Sequence, residues 1–216
     1  MVNSTLQHQV LLIASQLFRK FSTFMCIPLL ANSLSAHSFG VFNTVSIWAS
    51  VFSLIAVLAI DEVVARNAFK NPTEIPGLLS NFIFVFCLNA SVLLLVIYLV
   101  TPFFDIGAGE VNVFVIMALV FQTSFVNFYL KFCRIMGIYT PFFFISAASG
   151  VINLIAAFFV SHFGLRLSTY FVVLVGLSST TFVWSMYAVY KKSKVNLIGL
   201  ESSKTLYAEA APIFPH

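Results

Sequence analysis

Two adjacent cations interrupt the first apolar stretch of this chain. Arg19 and Lys20 lie within residues 10–33, roughly ten residues from either end of that stretch. Gln16 and Thr23 flank them at spacings that place all four side chains on one face of a helix. A cation pair favours an anionic ligand, and a guanidinium can hold a phosphate or diphosphate through two parallel hydrogen bonds. We therefore predict that these four residues form a cationic binding site.

The composition shows why such charges are costly to bury. Of 216 residues, 60% are hydrophobic and 8% are charged, and phenylalanine alone occurs 26 times. A soluble domain carries about 25% charged residues, so this chain has too few charges to cover a water-facing surface. The composition predicts an integral membrane protein, in which a charge at the centre of a spanning helix costs about 2.5–3.5 kcal/mol to insert.

Six long apolar segments divide the chain. A spanning helix needs about 20 residues, and each segment has roughly that length. The runs are too long and too continuously apolar for the alternating strands of a membrane barrel. We predict an all-α membrane protein, a bundle of six transmembrane helices at residues 10–33, 40–65, 78–101, 111–134, 140–162 and 168–190.

The positive charges between these segments predict the orientation of the bundle, because lysine and arginine collect in cytoplasmic loops. If the N-terminus is cytoplasmic, the outer loops hold only Arg166. The inner loops and helix ends then hold eight cations: Arg66, Lys70, Lys131, Arg134, Lys191, Lys192, Lys194 and Lys204. This distribution predicts a multi-pass protein with a cytoplasmic N-terminus. It also accounts for the net charge of +4 without a nucleic-acid partner.

Other segments also carry polar side chains at helical spacing. Such a stripe suits a bundle around a polar interior, and it also suits close packing between helices in lipid. For the fifth segment we expect helix packing. Near a helix end, Lys131 and Arg134 can face the interior or extend to the cytoplasmic interface. The stripes are Asn43, Ser46, Ser50, Ser53 and Asp61 in the second segment, Ser124, Asn127, Lys131 and Arg134 in the fourth, and Ser146, Ser149 and Asn153, beside Gly150, in the fifth.

One stretch carries a family resemblance: residues 58–72 read LAIDEVVARNAFKNP. It resembles the end of the second helix and the following loop of bacterial O-antigen flippases, polysaccharide-unit transporters of the multidrug/oligosaccharidyl-lipid/polysaccharide exporter superfamily. Ala59 stands where glycine is usual in that family, and Asn67 replaces an acid. The matching positions hold Asp61, Arg66, Lys70, Asn71 and Pro72. LLANSLSAHSFGVF and RIMGIYTPFFFISAASGVINLI are similar to the family's first loop and its fourth-to-fifth helix region.

The resemblance implies two six-helix lobes around a cationic cavity in the bacterial inner membrane. Such proteins move an undecaprenyl-diphosphate-linked oligosaccharide, an O-antigen or other polysaccharide repeat unit, to the periplasmic leaflet by alternating access. The lipid-linked oligosaccharide would contact the cationic cavity of Arg19, Lys20, Gln16 and Thr23. A gate or cytoplasmic end would hold Asp61, Arg66, Lys131 and Arg134. Because Asp61 and Arg66 are five residues apart, each should pair elsewhere or face water.

The same resemblance divides the chain into three parts. Residues 1–190 are the six-helix lobe, 191–204 a basic cytoplasmic loop, and 205–216, TLYAEAAPIFPH, resemble the start of the family's seventh helix. We expect one lobe of a two-lobe transporter with a truncated seventh helix. Transport would be incomplete without a second lobe or polysaccharide-assembly proteins, and a split gene or a remnant is favoured over a homodimer.

Three other functions compete with polysaccharide transport. A multidrug cation antiporter lobe would need acidic residues in its cavity, whereas the acids here lie toward segment ends. A membrane enzyme would need a base or metal constellation, but His8, His37 and His162 are scattered and no metal-binding or phosphate-loop motif occurs. We therefore predict no enzymatic activity, metal site or cofactor. A non-transporting membrane interaction protein is the third alternative.

Overall fold

Seven α-helices make up the part of the chain that the structure describes. The computed structural model describes residues 2–57, 59–104 and 110–192, and no strand occurs among them. A short 3₁₀ turn, Pro72–Glu74, connects α3 to α4. Every helix except α3 is long and apolar enough to span a membrane, which confirms the predicted all-α bundle of six spanning helices. The helices are α1 (Val2–Ser33), α2 (Ala36–Val57), α3 (Ile60–Lys70), α4 (Ile75–Phe104), α5 (Val113–Ile135), α6 (Tyr139–Phe163) and α7 (Leu167–Lys192).

The second predicted segment, residues 40–65, is wrong in its extent. Ala59 adopts the left-handed conformation with φ 58°, and this residue separates α2 from α3. The charges of Asp61 and Glu62 follow at once, so the apolar span ends here and a short amphipathic helix follows. The buried face of α3 consists of Ile60, Val63, Val64, Ala65 and Ala68. Asp61 therefore lies in the first turn of α3, not at the end of a spanning helix.

Local sequence signals set the other helix boundaries. The Asn112 side chain caps α5 by accepting a hydrogen bond from the Phe114 backbone N–H at 2.9 Å. Gly164, with φ 60°, ends α6, and Gly137, with φ 67°, lies in the turn before α6. Glycine adopts this left-handed conformation without steric cost. The short connections make neighbouring spanning helices antiparallel.

The spanning helices form an open ring around a polar interior. Helix α1 packs on α6, α6 on α7, α7 on α5, and α5 on α2. Although two residues connect α1 to α2, these helices make few contacts with each other, which leaves the ring open between them. Helix α4 packs outside the ring against α2, α3, α5 and α7.

Two apolar cores hold the bundle together. One contains the buried face of α3 and a phenylalanine cluster in which the Phe82 and Phe128 rings stack with centroids 3.4 Å apart. The other core includes Leu30, Val41 and Leu167, which lie toward the end of the bundle away from α3. Stacked aromatic rings contribute roughly 0.5–1.5 kcal/mol beyond the burial of their area.

The described cations are distributed unevenly between the two ends of the bundle. The end that contains α3, called the basic end below, holds six of them, and the opposite end holds Arg166. The six are Arg66, Lys70, Lys131, Arg134, Lys191 and Lys192. Lys191 and Lys192 end α7. Lys194, Lys204 and the predicted start of a seventh helix lie outside the described residues.

Candidate functional site

A cavity of about 380 Å³ lies inside the ring of helices. Helices α1, α2, α5, α6 and α7 line it, and none of the described carboxylates does. Thr23, Asn43 and Ser50 are exposed on the side formed by α1 and α2, so the cavity opens between these two helices. Its polar lining consists of Arg19, Thr23, Asn43, Ser46, Ser50, Gln122, Thr123, Ser149, Asn153, Ser178 and Thr181.

The contact between α1 and α6 directs Arg19 toward this cavity. Ser15 and Ser22 of α1 are fully buried against α6, and the Ser146 hydroxyl donates to the Ser15 carbonyl at 3.3 Å. Gly150 allows the helices to approach closely, because a Cβ atom there would lie 3.0 Å from Ser22 Oγ and 3.3 Å from Arg19 Cα. Small residues at such positions are typical of helix packing in membranes.

Arg19 has a neutral hydrogen-bond partner. Its Nη2 donates to Asn127 Oδ1 of α5 at 3.0 Å. Asn127 lies eight residues, about 12 Å, before the end of α5, so the pair is inside the spanning region on the side of the basic end. Among the described residues no carboxylate forms an ion pair with Arg19. The guanidinium therefore brings an uncompensated positive charge to the cavity wall, where it can bind an anion.

The structure separates the four residues of the predicted cationic site. Arg19 and Thr23 line the cavity, as the helical spacing predicts, whereas Gln16 and Lys20 do not. Both of these side chains are exposed on α1 outside the cavity. Successive residues are about 100° apart on a helix, and α1 packs on α6 in a rotation that places Lys20 outside the cavity. The predicted cation pair is thus a single cavity cation.

The predicted gate residues also fall into separate places. Lys131 Nζ donates to Asp61 Oδ2 at 2.9 Å and to Glu62 Oε2 at 3.4 Å, which connects α5 to α3. Arg66 and Arg134 are exposed. Asp61 therefore pairs outside its own helix, as its spacing from Arg66 predicts. The ion pair holds α3 against the bundle at the basic end.

The polar stripe of the fifth predicted segment serves two contacts instead of one. Ser146 and Gly150 pack on α1, in agreement with the expected helix packing. Ser149 and Asn153 instead line the cavity. The stripe is wide enough to face both α1 and the interior because α6 lies between α1 and α7 in the ring.

Gln122 is a site residue that the sequence reasoning missed. Its Nε2 donates to Ser179 Oγ at 2.9 Å, and its Oε1 accepts from Ser178 Oγ. These bonds join α5 to α7 at the cavity wall. The sequence signal for this contact was a single glutamine in one apolar segment and two consecutive serines, Ser178 and Ser179, in another. Because both ends of its amide are bonded, Gln122 contributes to helix association more than to ligand binding.

The two histidines whose side chains the structure describes, His37 and His162, belong to different helices, α2 and α6. His37 Nε2 lies 3.5 Å from Glu110 Oε1 at the end of the bundle opposite the basic end, where Ser38 also donates to Glu110 at 3.1 Å. Within residues 2–57, 59–104 and 110–192, no group of three or more metal-ligating side chains occurs.

No family model, curated protein or solved structure matches this chain. The resemblance to polysaccharide-unit flippases thus rests on the motifs quoted above and stays a prediction.

Proposed function

We propose that this chain is one lobe of a transporter that moves an undecaprenyl-diphosphate-linked oligosaccharide across the bacterial inner membrane by alternating access. The observation that carries the proposal is the cavity cation Arg19 with its neutral partner Asn127. Ionisable side chains within spanning helices are costly and usually pair with one another or mark a substrate pathway. A cation that lacks a carboxylate partner favours the second role, with an anionic ligand.

The shape of the cavity supports a lipid-linked substrate. Its volume of about 380 Å³ lies within the range of about 300–1,000 Å³ of small-molecule sites. A diphosphate and the adjoining sugar would meet Arg19 and the hydroxyl and amide groups of the lining. The opening between α1 and α2 gives a polyprenyl tail a path into the bilayer. A sugar headgroup needs such shielding because unsatisfied polar groups in hydrocarbon cost several kcal/mol each.

The proposed orientation places the basic end and the N-terminus in the cytoplasm. Arg19 lies nearer to that end, so an anionic headgroup that comes from the cytoplasmic leaflet meets it early. O-antigen units and other polysaccharide repeat units share the diphosphate that this cation would bind.

Two alternatives make different demands on the same cavity. A lobe of a multidrug cation antiporter would need a carboxylate in the cavity, and none of the described acids lines it. A non-transporting interaction protein is favoured by the exposed polar side chains Thr23, Asn43 and Ser50 on the open side, which a helix of a partner protein would cover. That protein would bind its partner whether or not Arg19 is charged.

The test uses cells that make surface polysaccharide through this protein. Arg19→Ala should strongly reduce surface polysaccharide and leave lipid-linked precursor in the cytoplasmic leaflet, at unchanged protein level in the membrane. Lys20→Ala is the matched control, because this neighbouring cation lies outside the cavity, and it should retain most of the polysaccharide. Normal polysaccharide in the Arg19→Ala cells would overturn the proposal.

A further inference from the structure

Asn127 is the residue that holds the cavity cation, and its side chain carries no charge. We infer that Asn127 is a specificity-determining residue, which positions Arg19 without cancelling its charge and so keeps the cavity selective for anions. The inference rests on the proposed function, since it concerns the same cation. It adds to the proposed function a second residue, Asn127, and a reason why the site would bind anions in preference to cations.

The hydrogen bond leaves the donors of both side chains available to a ligand. A guanidinium has five N–H donors, and Asn127 Oδ1 accepts from the Nη2 of Arg19. The amide nitrogen of Asn127 has two more donors, which have no partner among the described residues. Asn127 is exposed, so these donors are accessible. Arg19 and Asn127 thus offer several N–H donors and no negative charge to a ligand, an arrangement that suits phosphate oxygens.

The next turn of α5 shows the contrasting arrangement. Lys131, four residues and about 6 Å nearer to the basic end, pairs with the carboxylates of Asp61 and Glu62. That cation is neutralised and braces α3. Helix α5 therefore takes part in two contacts with a cation: Lys131 pairs with two acids, and the amide of Asn127 binds Arg19. Only the contact with the amide involves a cation that lines the cavity, Arg19.

An aspartate at position 127 would reverse this property with almost no change in shape. Its carboxylate would accept the same hydrogen bond from Arg19, with the added attraction of opposite charges, so Arg19 would stay in place. The pair would then be neutral overall, and the carboxylate would repel a diphosphate at short range inside a low-dielectric site. Asn127→Asp is therefore a change of charge at fixed geometry.

The experiment measures equilibrium binding of three probes to the purified full chain in lipid nanodiscs. The probes are farnesyl diphosphate, farnesylamine and farnesol, which share one tail and differ in headgroup charge. The unaltered protein should bind the diphosphate at least tenfold more tightly than the amine. Asn127→Asp should lose at least tenfold in diphosphate affinity and lose the preference for the anion. Asn127→Ala should lose diphosphate affinity several-fold, and this loss should vanish in an Arg19→Ala background.

Gln16→Glu is the matched control. It makes the same change from an amide to a carboxylate about one helical turn from Arg19, but this side chain is exposed on α1 outside the cavity. It should retain the preference for the diphosphate. Size-exclusion profiles and thermal unfolding check that each variant is folded.

The remaining outcomes distinguish a failure of the proposed function from a failure of the role of Asn127. No preference for the diphosphate in the unaltered protein contradicts the proposed function itself. If the unaltered protein prefers the diphosphate through Arg19 but Asn127→Asp keeps that preference, only the role of Asn127 is wrong. Equal losses in Asn127→Asp and Gln16→Glu would mean that any carboxylate near Arg19 has this effect, which also overturns the role of position 127. Should Asn127→Asp not fold, unchanged diphosphate affinity in Asn127→Ala overturns it.

Discussion

Arg19 of α1 contacts α5, and Lys131 belongs to α5. The two cations have different partners, and the partners give them different roles. Lys131 pairs with Asp61, and the two side chains are 27% and 17% exposed. Arg19 bonds to an amide inside the spanning region. Removal of one partner of a buried ion pair leaves an uncompensated charge, which costs more than the pair itself contributes. The charge of the bonded partner thus indicates whether a cation stabilises the fold or is free to bind an anionic ligand.

The ion pair at the basic end predicts unequal effects of two neighbouring acids. Asp61→Asn should destabilise the protein by about 1–2 kcal/mol, between the values of about 0.2–1 for surface pairs and 3–5 for buried pairs. Glu62→Gln should cost less than about 0.5 kcal/mol, because Glu62 is 52% exposed and its oxygen lies 3.4 Å from Lys131. Unfolding in mixed detergent measures both variants. Equal costs would contradict the assignment of Asp61 as the main partner.

At the scale of the helix, the sequence predicts where spans occur better than where they break. The long apolar runs predicted all six spans, but the end of α2 was misplaced because Ala59 has no preference for the left-handed conformation it adopts. The charges of Asp61 and Glu62 carried the missing signal. In the resembling family, glycine is usual at this position, and it would adopt this conformation without strain.

The break after α2 predicts that one alanine is better replaced by glycine. Ala59→Gly should stabilise the protein by about 1 kcal/mol, because a left-handed conformation costs an L-residue roughly 1–2 kcal/mol. Ala31→Gly in the exposed part of α1 is the control, and it should destabilise by about 0.5–1 kcal/mol. Thermal unfolding compares the two. The same sign for both variants would mean that the left-handed turn is not formed.

The contact between α1 and α6 predicts opposite effects at two glycines. Gly150→Ala should destabilise by about 1–3 kcal/mol, because the added methyl group would lie 3.0 Å from Ser22 Oγ and 3.3 Å from Arg19 Cα. Gly176→Ala in α7 should be neutral or stabilising, since nothing lies within 4 Å of its added Cβ atom. Thermal unfolding checks stability. A neutral Gly150→Ala would mean that α1 does not approach α6 this closely.

At the scale of the whole molecule, the sequence predicted the faces of single helices but not the rotation of each helix against its neighbours. Helical spacing grouped Arg19 with Lys20, yet the docking of α1 on α6 places only Arg19 at the cavity. It also grouped Ser146 with Asn153, which serve different contacts. Such assignments depend on contacts between residues far apart in sequence, such as that of Ser15 with Ser146, which spacing within one helix does not encode.

The uneven distribution of charge predicts the orientation of the bundle in the membrane. In a variant without native cysteines, Ser35→Cys should react in intact cells with a maleimide that does not cross membranes. Thr73→Cys, near the basic end, should react only after the cells are permeabilised. Both positions are exposed in the structure. The reverse labelling pattern would place the N-terminus outside and contradict the proposed orientation.

Binding of undecaprenyl diphosphate to the purified protein, measured by native mass spectrometry with undecaprenol as the uncharged competitor, decides whether Arg19 selects an anionic lipid. The unaltered chain and Lys20→Gln should retain the diphosphate in preference to the alcohol. Arg19→Gln, which removes the cavity charge but keeps a polar side chain that can bond to Asn127, should lose that preference by at least tenfold. Equal retention of both lipids by the unaltered chain, or an unchanged preference in Arg19→Gln, would show that Arg19 does not select a diphosphate lipid.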